Sequence, residues 1–415
     1  MKLKIKMLFI IIIVIVLGTI NVYADDEDEE EIGENELQEL VVEISAEPTE
    51  EPKINAKAAI IYDRTTKEII WGKNENEKRA MASTTKIMTA IVVLENSNLE
   101  EEVTISKKAA GTGGSRLKIN IGDKITIKDL LYGLMLRSGN DAAVALAETI
   151  GGSIEGFSDL MNKKAEELGL KNTHFVTPHG LDDENHYTTA YELALLTDYA
   201  LQNETFCKIV KTKIATISIN GNSRNIYNTN ELLGVLNGVD GIKTGFTNNA
   251  GRCLVTSCTR DGNQIITVVL GCDTKKQRTS DSTKLIEYAF KNYTRINLEE
   301  KVKEQFENWK QINLKRIYIN KAEEQNIELE LEEIERKQIP IKIGEEKDIT
   351  IEINAIYQHE APIEEKTKIG NIIVKKKEEI IETIDIICSK KVEKKNIFTY
   401  LIELIETMPN YEWIK

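Results

Sequence analysis

A chain of 415 residues, 41% hydrophobic and 29% charged, holds enough apolar material for a packed core and is long enough for two domains. Its formal charge of −14 is carried by one block, because fourteen carboxylates and no basic residue lie between Asp25 and Glu51. The rest is close to neutral, and no basic stripe with interleaved aromatics marks a nucleic-acid binder. Five cysteines without a CxxC pair exclude a zinc or redox site of that kind and read as small packing residues.

The first 24 residues read as an export signal. Lys2, Lys4 and Lys6 precede an apolar run from Met7 to Leu17, and Val22-Tyr23-Ala24 resembles a signal-peptidase site. An uncleaved anchor is the alternative, and either way the body of the chain lies outside the cytoplasm. Residues 25–53 read as an acidic, solvated spacer that repels itself and cannot bury enough surface to fold.

Two β-rich runs follow, Ala56 to Tyr62 and Glu68 to Trp71, joined as a hairpin through Asp63 to Lys67. Helical periodicity then appears at Ser83 to Leu94, Ile127 to Leu136, Asp141 to Ile150, Ile154 to Leu168 and Tyr187 to Leu201. Strands return at Gly241 to Thr244, Arg252 to Thr259 and Gln264 to Gly271. A two-residue turn at Asp261-Gly262 would set Cys258 opposite Ile265 and Cys253 opposite Leu270. Strands, a helical block, then strands predict one α+β domain whose sheet draws on both ends of its sequence. Residues 298–390 are rich in isoleucine between charged turns and predict a small all-β domain. Asn396 to Met408 carries apolar residues at helical spacing after Lys390, Lys391, Lys394 and Lys395. It predicts an amphipathic helix that either lies on an anionic membrane surface or packs on the β domain.

Three short motifs stand in order: Ser83-Thr84-Thr85-Lys86, Ser138-Gly139-Asn140 and Lys243-Thr244-Gly245. Singly they are weak, since Ser115 to Lys118 is a second S-x-x-K and Ser218 to Asn220 a second S-x-N. Only the first serine opens a helix, where residues three apart share a face. A serine hydroxyl needs a base, and Lys86 is the candidate if burial and the positive charge of Lys243 keep it neutral. Ser138 could relay a proton, and Asn140 could hold a substrate amide. Lys243 and Thr244 suit a carboxylate, while Gly245 leaves the strand edge open. The backbone N–H groups of Ser83 and Phe246 could stabilise an oxyanion. His174, His179 and His186 lack the spacing of a metal site, so neither metal nor cofactor is expected.

This order resembles the signature of penicillin-binding proteins and class A β-lactamases, and specifically the low-molecular-weight D,D-carboxypeptidases. Ser138 to Ala143, Thr177 to Asp182 and Val239 to Gly245 resemble segments of that family. The resemblance implies a β-lactamase/transpeptidase-like catalytic domain over 54–290, a β domain and a membrane-associating helix within 391–415. It also implies an acyl-enzyme on Ser83, release of the terminal D-alanine from peptidoglycan stem peptides, and inhibition by β-lactams. The alternatives are a β-lactamase, whose E-x-x-L-N setting is missing between Ile150 and Gly180, and a catalytically weak wall-associated protein. An arginine that the family carries upstream of the K-T-G is absent, because Asn228, Thr229 and Asn230 fill that region. Arg224 or Lys243 alone would then hold the substrate carboxylate.

Overall fold

A computed structural model describes residues 32–46 and 50–407. The export signal read at 1–24 lies outside the described residues, as does Met408. The described chain falls into two compact units, one ending at Lys291 and the other beginning at Asn292.

The segment read as a spacer contains a helix, α1 (Glu34–Ala46), which corrects the expectation of solvated chain there. Leu37, Val41 and Ile44 repeat at i, i+4 and i+7 and are buried. Lys276 Nζ pairs with Glu36 at 2.8 Å, and Lys291 Nζ donates to the Ser45 carbonyl at 2.6 Å. Glu34 and Glu36 lie in the first turn, where the helix dipole favours negative charge. Net charge taken over the whole segment concealed this narrow apolar stripe.

The first unit is built on a five-stranded antiparallel sheet. Its strands are β1 (Ala58–Asp63) and β2 (Glu68–Lys73) from one end, with β7 (Val239–Thr247), β8 (Gly251–Arg260) and β9 (Asn263–Cys272) from the other. They are ordered β2-β1-β9-β8-β7. Two-stranded ribbons, β3 (Glu102–Thr104) with β4 (Lys124–Thr126) and β5 (Ile214–Ile219) with β6 (Asn222–Tyr227), lie between. Asp63 closes the first hairpin by accepting from the Thr65 and Thr66 N–H groups at 2.9 and 3.1 Å. At the β8–β9 turn Asp261 and Gly262 both take positive φ, 49° and 75°, as a type I′ hairpin requires. Cys258 faces Ile265 as expected. That register holds as far as Leu254 opposite Val269, and a shift beyond it sets Arg252 opposite Cys272. All five cysteines are free thiols.

The helical block comprises α2 (Lys86–Asn96), α3 (Ile127–Leu136), α4 (Asn140–Gly151), α5 (Ile154–Glu167), α6 (Ala190–Ala200) and α7 (Glu204–Val210). Side-chain caps set several boundaries. Thr126, Ser153 and Thr189 each accept from the N–H three residues on. The Thr189 cap starts α6 at Ala190 rather than at the expected Tyr187. Tyr187 and Thr188 instead bridge to His174 and Arg79. Ile60, Val255, Ile266 and Val268 of the sheet share one core with Ile87, Leu131 and Val144 of the block. Ala59, Ile61, Leu254 and Val269 are buried as well, so both faces of the sheet are covered. Helix α8 (Lys275–Asn292) is tied to the sheet through Asp281, which accepts from the Asn55 and Ala56 N–H groups at 2.7 Å.

The second unit opens with β10 (Tyr293–Asn297) and α9 (Leu298–Asn313), a helix where the isoleucine-rich texture predicted only strands. Asn297 caps it, and Leu298, Val302 and Phe306 form its buried stripe, spaced four apart among charges. The β elements are β11 (Tyr318–Asn320), β12 (Leu329–Leu331), β13 (Gln338–Lys342), β14 (Ile349–Ala355), β15 (Gln358–Glu360), β16 (Lys368–Lys376) and β17 (Glu379–Cys388). Four of them form an antiparallel sheet ordered β12-β17-β16-β14. The last helix, α10 (Ile397–Thr407), starts at Asn396, whose Oδ1 accepts from the Phe398 and Thr399 N–H groups at 2.9 and 3.0 Å. Among the described residues no helix is long and apolar enough to cross a membrane.

Candidate active site

Ser83 lies in a 3-10 turn, Ala82–Thr85, that runs directly into α2. The turn is held by its own neighbours. Thr84 Oγ1 donates to the Met81 carbonyl at 2.6 Å and Thr85 Oγ1 to the Ala82 carbonyl at 2.8 Å, while Ala82 sits at φ 48°. A non-glycine residue in that region is uncommon, and the threonine clamps hold it there. One turn on, Lys86 is fully buried. Its Nζ lies 2.8 Å from Ser83 Oγ, 2.7 Å from Asn140 Oδ1 and 2.8 Å from the His179 carbonyl.

Asn140 is the first residue of α4, so its side chain projects from the start of a buried helix. Its Nδ2 donates to the Gly113 carbonyl at 2.8 Å, which fixes the amide with Oδ1 towards Lys86. The adjacent Asp141 carboxylate accepts from the N–H groups of Leu117 and Lys118, both at 2.8 Å, and so lays the loop before β4 against the site. This loop carries the second S-x-x-K. Lys118 there is exposed at φ 62°, and the Ser115 carbonyl is taken by the Asn140 N–H at 2.8 Å. Ser138 is buried between α3 and α4 at φ 58°. Among the described residues its hydroxyl bonds neither Ser83 nor Lys86.

The K-T-G segment runs along β7, an edge strand of the sheet. A Cβ on Gly245 would lie 3.0 Å from Ser83 N and 3.1 Å from Ala82 Cβ, so any larger residue would press the strand away from the turn. Lys243 is buried, its Nζ donating to the Thr244 carbonyl at 3.0 Å, and Thr244 Oγ1 lies 2.8 Å from Thr229 Oγ1. Phe246 is half-buried with the Arg252 guanidinium 3.6 Å from its ring centre. The Ser83 N–H belongs to the first turn of a helix, where backbone donors have no intrahelical partner. Arg224 reaches the loop that Asp141 holds. Its guanidinium donates to the Leu117 and Lys118 carbonyls.

Reasoning from the motifs did not assign a role to the 177–186 loop, which forms the third wall. Gly180 takes φ 88°, and a Cβ there would fall 1.9 Å from the Ala82 carbonyl oxygen. Thr89 Oγ1 donates to the Pro178 carbonyl at 2.6 Å, and Asp182 Oδ1 accepts from Thr247 Oγ1 at 2.6 Å, tying the loop to α2 and to β7. His186 Nδ1 accepts from the Val176 N–H at 3.0 Å, so its Nε2 carries the hydrogen that reaches Thr85 Oγ1 at 2.8 Å. His179 Nδ1 accepts from the Leu181 N–H at 3.2 Å. The only sequence signal for this wall was the likeness of Thr177 to Asp182 to a family segment.

Burial first and the neighbouring Lys86 second push His179 down to about 3, and burial pushes His186 down to about 4. Both are therefore neutral when folded but titrate near their ordinary value, about 6.5, when unfolded. The unfolded chain then binds more protons as pH falls, so stability is full above about 6.5 and is lost on the way down. The expected cost is roughly 2 kcal/mol per histidine between neutral pH and about 4.5. Denaturant midpoints against pH would show it, and His186→Gln should flatten part of the slope. A midpoint that stays level over this range would contradict the neutral assignment.

Residues 45–274 match the D-alanyl-D-alanine carboxypeptidase family, peptidase S11, and residues 310–394 match the C-terminal domain of penicillin-binding protein 5. The chain is 40% identical over 251 residues to D-alanyl-D-alanine carboxypeptidase DacF of Bacillus subtilis, a match covering 59% of this chain and 64% of that protein. It is 38% identical over 257 residues to the D-alanyl-D-alanine carboxypeptidase of Streptomyces sp. K15, covering 58% of this chain and 88% of that one. The match thus spans just under two thirds of the Bacillus relative's length. The crystal structure of the carboxypeptidase DacD from Francisella tularensis superposes with a TM-score of 0.67 at 28% identity, covering 84% of this chain and 96% of that one. With more than half of its length matched, the chain belongs to the D-alanyl-D-alanine carboxypeptidase family.

Proposed function

We propose that the protein is a serine D,D-carboxypeptidase that removes the terminal D-alanine from peptidoglycan stem peptides through an acyl-enzyme on Ser83. The observation that carries this reading is the set of three contacts at Lys86 Nζ. Asn140 Oδ1 and the His179 carbonyl can only accept. A neutral amine that gives its two N–H groups to them turns its lone pair to Ser83 Oγ.

Ser83 Oγ then attacks the carbonyl carbon between the two D-alanines while its proton passes to Lys86. The carbonyl oxygen becomes an oxyanion and accepts from the backbone N–H groups of Ser83 and Phe246. The C–N bond breaks on collapse, and the departing amine takes the proton back from Lys86 through Ser138. Water attacks the resulting ester, returns a proton to Ser83 Oγ and frees the shortened peptide. Lys243 and Thr244 receive the terminal carboxylate, and Asn140 also faces the bound peptide. A β-lactam offers the same acyl carbon, with a leaving nitrogen that stays tethered.

The substrate is outside the cytoplasm, so this reading includes export by the N-terminal signal. It also includes attachment to the outer face of the membrane through α10. Ile397, Phe398, Leu401, Ile402, Leu404 and Ile405 are exposed there, while Glu403 is held by Lys395 at 2.5 Å. A helix with its apolar arc in solvent and its polar side tied inward suits a lipid interface. Mass spectrometry after incubation with a penicillin tests the central step. A single adduct on the peptide containing Ser83 is expected, and an adduct elsewhere or none would overturn the assignment.

A further inference from the structure

We infer that Thr229 is a substrate-binding residue whose hydroxyl pairs with that of Thr244 to hold one oxygen of the peptide's terminal carboxylate. This rests on the proposed carboxypeptidase reading and adds a residue that none of the three motifs contains. Thr229 spans the cleft between two of them. Its N–H donates to the Leu136 carbonyl at 3.0 Å, two residues before Ser138, and its Oγ1 lies 2.8 Å from Thr244 Oγ1 on β7. It is half-buried, while Thr244 is 2% exposed.

The flanking residues hold Thr229 in place. Asn228 Nδ2 donates to the Val210 and Thr212 carbonyls at 3.2 and 3.1 Å, and Asn228 Oδ1 accepts from the Asn230 N–H at 3.0 Å. On the other side Glu231 Oε1 accepts from Thr279 Oγ1 at 2.5 Å and from the Arg278 guanidinium. Thr229 is therefore presented by a segment anchored on both sides, with little ordering left to be done on binding.

The hydrogen count gives the pair its function. Two hydroxyls bonded to each other use one hydrogen between them and leave one to point outward. A carboxylate only accepts, so the outward hydrogen is the one it needs. Within the pair, the internal bond polarises the outward hydroxyl and strengthens that donation. The buried Lys243, next in the chain, supplies the positive charge. The carboxylate is thus read by an uncharged pair beside one lysine, on a segment that carries no cation between Asn228 and Leu233.

The test compares Thr229→Val, which keeps the branched shape and loses the hydroxyl, with Thr229→Ser, which keeps the hydroxyl. Each is assayed on a D-Ala-D-Ala peptide with a free carboxylate and on its C-terminal amide, alongside acylation by a penicillin. Thr229→Val is expected to raise KM for the free acid about tenfold and to lower the acid-over-amide preference, with kcat within about twofold. Acylation by penicillin, which carries a free carboxylate, should slow by a similar factor. Thr229→Ser should stay within about twofold of the parent in every readout. An unchanged acid-over-amide preference in Thr229→Val, or a loss in kcat alone, would overturn the inference, and so would equal damage in Thr229→Ser. A parent protein that neither releases D-alanine nor takes up penicillin would instead sink the carboxypeptidase reading, and this inference with it.

Discussion

Ser83→Ala is expected to abolish release of D-alanine, with a loss on the order of 10⁴-fold or more in kcat/KM, and to abolish the penicillin adduct. The substitution removes one oxygen and leaves the surrounding support untouched. Thr84 and Thr85 still clamp the turn to Met81 and Ala82, and Lys86 keeps its bonds to Asn140 and the His179 carbonyl. The thermal midpoint should accordingly move little, since Lys86 loses its contact to Ser83 Oγ and keeps those two. Binding should also survive, because Lys243 and Thr244, proposed to receive the substrate carboxylate, lie on β7 and are untouched by the substitution. The variant should therefore still bind substrate with close to parental affinity by a displacement assay. Steady release of D-alanine by Ser83→Ala would mean that the nucleophile lies elsewhere, and the three contacts at Lys86 would need another explanation.

Much of the layout of this site is legible in the sequence, for a physical reason. The three motifs sit on elements whose direction follows from local pattern. A serine at a helix start reaches a lysine one turn on, a loop between helices can point inward, and a glycine on an edge strand admits close approach. Context also separates the S-x-x-K at Ser83 from its duplicate, since Lys118 is exposed on a loop held by Asp141. The wall formed by 177–186 was not legible in those terms. It acts through the His179 carbonyl and the φ of Gly180, and backbone atoms and dihedrals leave no residue-type signature. The role inferred for Thr229 has no sequence signature either, because a single threonine between two asparagines belongs to no motif. Helices α1 and α9 were missed because their stripes, three residues each, are diluted by charge.

Lys86→Met is expected to slow acylation by penicillin about 10³-fold, a loss in the range general-base removal produces. Methionine has nearly the same length and no donor, so it fills the buried space without replacing the chemistry. No other base among the described residues at this site can substitute. His179 Nδ1 is occupied by the Leu181 N–H, and an imidazole pushed down to about 3 is a weak proton acceptor. His186 uses Nδ1 for the Val176 N–H and Nε2 for Thr85 Oγ1. The change should also cost stability, because Asn140 Oδ1 and the His179 carbonyl lose a buried donor, at about 1–3 kcal/mol each. Two readouts keep these effects apart. Denaturant unfolding reports the structural cost, and acylation measured well below the new midpoint reports the chemistry. A Lys86→Met protein that unfolds earlier yet acylates within tenfold of the parent would confine Lys86 to holding Asn140 and the 177–186 loop in place. The proton of Ser83 would then need a different base.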